Sequence, residues 1–241
     1  TYGFRGGLVP GVAVYAYMTR PAVDAFGHDW VERGTMAARF VQPFYAGDEV
    51  VVRPTVAAAN ALELVASRDD GGEVCATGRA AVPATGQAPV VPAAGDYAVL
   101  PTPRRGERPP ATAAVFRRLP GLCLPAMPFD ASKAGAYLDQ IGEDHPLFRE
   151  GGIAHPGWLV RFANTVLSAN VTLGPWIHTS TESTHLRAVV DGEEIATRAR
   201  VAEVFERKGH HLVSLDVLLL ANGKPAMHAL HTAIFEIAKR Q

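Results

Sequence analysis

The chain writes one structural unit twice at a fixed spacing. Gly6-Gly7-Leu8-Val9-Pro10-Gly11 opens an apolar helical run, and Gly151-Gly152-Ile153-Ala154-His155-Pro156-Gly157 opens another. Each run leads into strand-like sequence through an acidic glycine turn, Ala46-Gly47-Asp48-Glu49-Val50 and Asp191-Gly192-Glu193-Glu194-Ile195. The separation is 145 residues both from Gly7 to Gly152 and from Gly47 to Gly192. A later turn, Asp70-Gly71-Gly72-Glu73, corresponds to Ala221-Asn222-Gly223-Lys224. Two points in register at one offset argue for a duplicated unit. The unit is too long for a solenoid repeat, so the expectation is two copies of one small domain.

Within each copy the pattern is one long helix followed by an antiparallel meander. Residues 11–26 are apolar on nearly every side, as a buried helix is, and Pro21 is expected to kink or divide it. Strands are expected at about 34–45, 48–58, 60–68 and 72–82. Residues 83–112 hold Pro83, Pro89, Pro92, Pro101, Pro103, Pro109 and Pro110. They read as a linker crossing one domain's surface to reach the other. The second copy begins with a short helix at 131–141, then a long amphipathic helix at about 156–171 with proline in its first turn. Strands follow at about 176–190, 194–207, 211–220 and 225–237. The expected domains are therefore residues 1–82 and 113–241, joined by 83–112. A half-buried sheet wrapping a helix is an α+β arrangement.

Composition excludes several classes of function. The net charge is −1, which gives no electrostatic case for nucleic acid or for an anionic membrane. No apolar stretch reaches the ~18–20 residues of a membrane span. Two cysteines, Cys75 and Cys123, make no disulfide framework, and a reducing cytoplasm is the expected compartment. Nine histidines raise the question of a metal. Strict strand alternation places His178 and His185 on opposite faces, and likewise His228 and His231. No metal is expected. Gly-x-Ser-x-Gly, phosphate-loop and dinucleotide motifs are absent.

At its glycine turns the chain resembles the MaoC-like hot-dog family, which includes (R)-specific enoyl-thioester hydratases and dehydratases. The family pattern runs G-D-x-N-P-[IL]-H-x-D, then A-x-x-x-G-F, then I-[AV]-H-G at the central helix. Tyr2-Gly3-Phe4-Arg5-Gly6-Gly7-Leu8-Val9-Pro10-Gly11 is similar to the later portion. Gly142-Glu143-Asp144-His145-Pro146-Leu147-Phe148 and Ile153-Ala154-His155-Pro156-Gly157 are similar to an altered second copy. The resemblance implies a double hot dog: two antiparallel sheets, each wrapping a long central helix, joined side by side. It implies water addition to, or removal from, the α,β-position of an acyl thioester. No cofactor is expected beyond coenzyme A or a carrier protein bearing the acyl group. The expected assembly is a pseudo-dimeric monomer or a homodimer.

The departures from the family pattern shape the site expectations. The family's catalytic Asp and His fall on Glu143 and Phe148, and a phenyl ring exchanges no proton. In the first copy the pair would lie upstream of Thr1, and a further strand and helix are expected there. The expected chemical group within the sequence is the backbone N–H of Gly11, where a loop feeds a helix N-terminus and favours negative charge. Val9, Pro10, Tyr15, Trp30, His155 and Gly157 are the expected substrate-binding residues, with Trp30 at a pocket mouth. Blander readings stand beside these: glycine for tight packing, His155 as a helix cap, Tyr15 as core. Glu143 is the one carboxylate a thioesterase reading would use. A non-catalytic acyl-thioester binder is the remaining alternative.

Overall fold

The computed structural model describes residues 6–69, 72–84 and 89–238. Tyr2, Gly3, Phe4 and Arg5 of the first glycine-turn motif lie outside these residues, as do Asp70 and Gly71 of the third turn. The first copy runs α1 (Gly11–Arg33), β1 (Thr35–Phe40), β2 (Val50–Ala58), β3 (Ala61–Arg68) and β4 (Val74–Ala81). After the linker come α2 (Ala113–Phe116), β5 (Leu122–Pro128), α3 (Ala131–Gln140), α4 (Pro146–Arg149) and α5 (Pro156–Asn170). The chain then meanders through β6 (Ile177–His185), β7 (Glu194–Arg207), β8 (His210–Ala221) and β9 (Lys224–Glu236).

The two expected sheets are joined edge to edge. Their strands form one antiparallel nine-stranded sheet in the order β2-β3-β4-β1-β6-β9-β8-β7-β5. At its centre Ala37 of β1 faces Glu182 of β6, flanked by Thr35 opposite Thr184 and Arg39 opposite Ser180. A shift of 145 residues turns each of these pairings into its mirror, so a pseudo-twofold axis passes through the β1–β6 seam. Both long helices lie on the same side of this sheet and touch each other with no strand between them. This is the double hot-dog arrangement.

The duplication reaches down to single hydrogen bonds. Val9 N–H donates to Phe44 O at 2.9 Å, and Ala154 N–H to Val189 O at 2.9 Å. Ala46 N–H donates to Gly7 O at 2.8 Å, and Asp191 N–H to Gly152 O at 2.9 Å. Gly47 and Gly192 both take positive φ, 92° and 81°, which a side chain would resist. Behind each turn a carboxylate accepts a backbone N–H: Asp48 from Tyr45, and Glu193 from Val190. Arg68 holds the first carboxylate and Arg187 the second.

Three local features depart from expectation. Pro21 sits inside α1 without breaking it; the break is at Gly27, with φ 58° and ψ −142°. Glycine alone tolerates that geometry freely, and it lets the last turns of α1 swing back toward the sheet. β5 lies where proline-bearing sequence gave no strand pattern, and it pairs with β7. β2 has no such outer neighbour among the described residues, so the two copies are unequally covered.

The linker crosses the outer face of the second copy's sheet. Tyr97 is 2% exposed and packs on Leu218 and Leu220 of β8. Its hydroxyl donates to Asp216 Oδ1 at 2.5 Å, while Arg200 and His228 hold the same carboxylate. Burial pushes the Asp216 carboxyl up, but these three partners hold it down to about 2. A hydrogen bond to a charged acceptor contributes about 1.5–3 kcal/mol. Tyr97→Phe should lower unfolding free energy by that amount in urea titrations and speed proteolysis within residues 89–112. An unchanged urea midpoint would contradict the clamp.

Candidate functional site

The two helix N-termini that the sequence singles out are built differently. At α5 the cap is filled. His155 is 2% exposed, and its Nδ1 accepts the Gly157 N–H at 3.0 Å. The proton of the neutral ring therefore sits on Nε2. It points to Thr19 Oγ1 at 3.0 Å, which itself donates to Ala16 O, and toward Glu143 Oε2 at 3.5 Å. Glu143 also accepts from the His145 N–H at 2.7 Å and from Arg20 at 3.1 Å. Burial pushes its carboxyl up, yet His155, the His145 amide and Arg20 hold it down to about 2. Burial in turn pushes the His155 ring below the ordinary imidazole range against the pull of Glu143. A charged carboxylate is thus buried beside a neutral imidazole with all its partners engaged.

Several expected binding residues are core. Gly157 is buried, and a Cβ there would meet Ala16 Cβ at 2.5 Å and the Tyr137 hydroxyl at 2.8 Å. It allows α1 and α5 to cross closely, and its N–H already belongs to His155. Tyr15 is fully buried; its hydroxyl meets Ser183 Oγ at 2.7 Å, which donates on to Met36 O. It ties α1 to the β1–β6 seam. Trp30 lines no pocket mouth. The kink at Gly27 folds it inward, where it is fully buried, stacks edge-on against His185 at 4.6 Å and donates to Thr35 O. Asp144 and His145 point apart: Asp144 pairs with Arg20, while His145 Nδ1 accepts the Leu147 N–H.

At α1 the N-terminus has no side-chain cap among the described residues. Its N-cap is Pro10, which offers no side-chain acceptor; the Ala13 N–H bonds back to Pro10 O at 2.8 Å, and the N–H groups of Gly11 and Val12 precede the first intrahelical bond. Pro10 is exposed, and Val9 and Gly11 are half-buried. The nearest atom to the missing Cβ of Gly11 is Nδ1 of His178, 2.6 Å from where that carbon would stand, with Phe40 at 3.2 Å. Sequence reasoning missed His178. A register shift between His178 and Ser180 breaks the strict alternation that set His178 and His185 on opposite faces, and both rings are buried among the helix-facing residues. Among the described residues no three His, Cys, Asp or Glu side chains gather as a metal site would require.

A further cleft lies away from the N-terminus of α1. It has a volume of about 840 Å³ and lies between α1 and the uncovered strand β2. Val50, Val52, Val56 and Leu62 give it an apolar floor, and Arg20, Asp24 and Glu143 stand at its rim.

No family model matches the sequence, and no curated protein sequence matches it. Solved structures do match in fold. A Chloroflexus aurantiacus protein described as a MaoC-domain dehydratase aligns at TM-score 0.62 and 12% identity, over 99% of this chain and 85% of that one. A Mycobacterium tuberculosis protein described as a double hot dog aligns at TM-score 0.59 and 17% identity, over 97% and 83%. A Thermobifida fusca protein described as a thioesterase II aligns at TM-score 0.57 and 16% identity, over 98% and 90%. The chain thus has the double hot-dog fold, which dehydratase-like and thioesterase-like proteins share.

The buried rings predict an acid response. Burial holds His185 down to about 4 and His231 to about 3, and lowers His155 and His178 as well. The unfolded chain, with imidazoles near pKa ~6.5, takes up protons first as pH falls. These rings therefore contribute stability that is complete above about pH 6.5 and is lost as pH falls toward 3. Each costs roughly 1 kcal/mol per pH unit within its window. Denaturation curves should weaken steadily from pH 7 to pH 5, and a flat profile there would contradict the neutral assignments.

Proposed function

We propose that this protein is an acyl-thioester hydratase or dehydratase, adding water to or removing it from the α,β-position, with the Gly11 N–H receiving the thioester oxygen. The carrying observation is the unequal pair of helix N-termini. One is capped by His155 and sealed by the helix crossing, whereas the other has no side-chain cap and a half-buried glycine at its first turn. A free N-terminal amide aligned with a helix dipole stabilises charge that develops on an oxygen. The double hot-dog fold supports the reading because dehydratase-like neighbours share it. Coenzyme A or a carrier protein would bear the acyl group, and the linker arginines Arg104 and Arg105 are positive groups that suit its phosphates.

A second reading has one observation in its favour. Glu143 is a buried, ionised carboxylate at the rim of the 840 Å³ cleft. A hot-dog thioesterase uses such a group near a helix N-terminus, so hydrolysis of an acyl thioester is the alternative.

The test is turnover of crotonyl- and longer enoyl-coenzyme A, followed by loss of enoyl-thioester absorbance, with release of free thiol measured in parallel. Gly11→Val drives a branched side chain into His178 and over the donor, and should slow hydration by about a hundred- to thousandfold, equivalent to ~2.7–4 kcal/mol. Glu143→Gln should leave hydration nearly intact. Thiol release that disappears in Glu143→Gln would select the thioesterase reading. Tight binding with neither reaction would select the non-catalytic binder.

A further inference from the structure

His178 is a strand residue that no part of the family resemblance touches, yet it is the side chain nearest Gly11. It is 6% exposed. Its Nε2 lies 3.2 Å from Ser180 O and 2.7 Å from Thr181 Oγ1. A carbonyl oxygen only accepts, so Nε2 carries the ring proton. Thr181 Oγ1 accepts that proton's hydrogen bond and donates its own to His231 Nδ1 at 2.9 Å. The His231 ring stacks on His178 at 4.0 Å, and Phe40 meets its edge at 4.7 Å. The tautomer and the plane of His178 are thus fixed from three sides.

What remains is Nδ1, a bare lone pair. It is buried and has no hydrogen-bond partner among the described residues, and it is aimed at the first turn of α1. Leaving a buried acceptor unsatisfied is costly, whereas an apolar side chain of the same shape would carry no such cost. The other unpartnered ring nitrogens, His185 Nε2 and His231 Nε2, are not the atoms that face this helix start. A helix N-terminus without a side-chain cap and a fixed, unpartnered lone pair thus lie side by side, a donor and an acceptor at one place.

We propose that His178, contributed by the second copy, is the acid–base residue of the site at the N-terminus of α1. The proposal rests on the acyl-thioester reading above and names the group that reading lacks. In hydration, the His178 Nδ1 lone pair takes a proton from water as the water oxygen bonds to C3. The C2=C3 electron pair moves onto the thioester oxygen, which the Gly11 N–H holds as an enolate. The imidazolium then returns its proton to C2, and one water has been added with no other reactant. Dehydration runs the same steps backward. Thr181 and His231 act as positioning residues that keep Nδ1 unprotonated and aimed.

His178→Gln and His178→Asn test this directly. Turnover of crotonyl-coenzyme A should fall about a hundred- to ten-thousandfold, the usual contribution of a general base. Affinity for acetoacetyl-coenzyme A should hold, and the melting temperature should show that the variants fold. A second readout does not need turnover. In ¹⁵N-histidine NMR the His178 Nδ1 signal should sit at the unprotonated position in the free protein and shift strongly when acetoacetyl-coenzyme A binds. Folded His178 variants with wild-type turnover would overturn the assignment, while Gly11→Val inactivity in the same assay would keep the thioester site. If wild type binds acetoacetyl-coenzyme A but hydrates nothing, the lyase reading falls. His178 then stands as a ligand-facing group if Nδ1 shifts, and is overturned if it does not. Absence of any binding overturns both.

Discussion

The seam between β1 and β6 is the interaction on which the rest of the structure depends. Each copy alone would present an open strand edge and a long apolar helix with one flank bare. Pairing Thr35–Arg39 with Ser180–Thr184 removes both edges at once. It also places α1 and α5 side by side on one sheet, so each helix covers the flank the other would leave wet. The seam carries its own locks. Tyr15 reaches it through Ser183, and Thr181, the link between His178 and His231, sits opposite Ala38 in the same pairing. The fold's central joint and its candidate chemistry thus share strand β6, with Thr181 belonging to both.

Duplication gives two equivalent helix N-termini, and the sequence then makes them unequal with few changes. In the second copy a histidine precedes the proline, and its ring plugs the helix start while a glutamate anchors the ring. In the first copy the equivalent N-cap position is Pro10, which has no acceptor to place on the helix start, and the facing group is an imidazole from the other copy. One terminus has become a structural strut and the other is the proposed site. Such division of labour is available only when both copies are on one chain, because separate identical subunits would carry the same cap at both ends.

Much of the architecture was legible because it is written in residues with little conformational choice. Gly47 and Gly192 need positive φ, the proline–glycine helix starts repeat, and strand alternation is clear in β7 and β8, so copy number, element order and most boundaries follow. β5 was not legible because Pro125 and Pro128 contradict a strand interior; it survives as an edge strand, where unpaired positions are tolerated. Trp30 read as a pocket residue because its neighbours His28 and Asp29 are polar, but Gly27 turns it inward, and a single positive φ cannot be foreseen from composition. His178 was hidden by a one-residue register shift. A bulge inverts the facing of every residue on one side of it, so counting along the strand gave the wrong face.

Spare hydrogen-bond capacity distinguishes the two candidate centres. Glu143 and His155 look like an acid–base pair in sequence and in proximity, but their hydrogen-bond capacity is spent. His155 uses one nitrogen on a helix amide and the other on Thr19 and Glu143, and Glu143 is held by a guanidinium and a backbone N–H. A group must have an unoccupied lone pair or proton facing space to act on a substrate. His178 has fewer partners and therefore more chemistry: one nitrogen is tied down, which fixes the tautomer, and the other is left bare beside the helix amides of α1. An unpartnered nitrogen beside a helix N-terminus separates the two sites more sharply than the identity of the residues does.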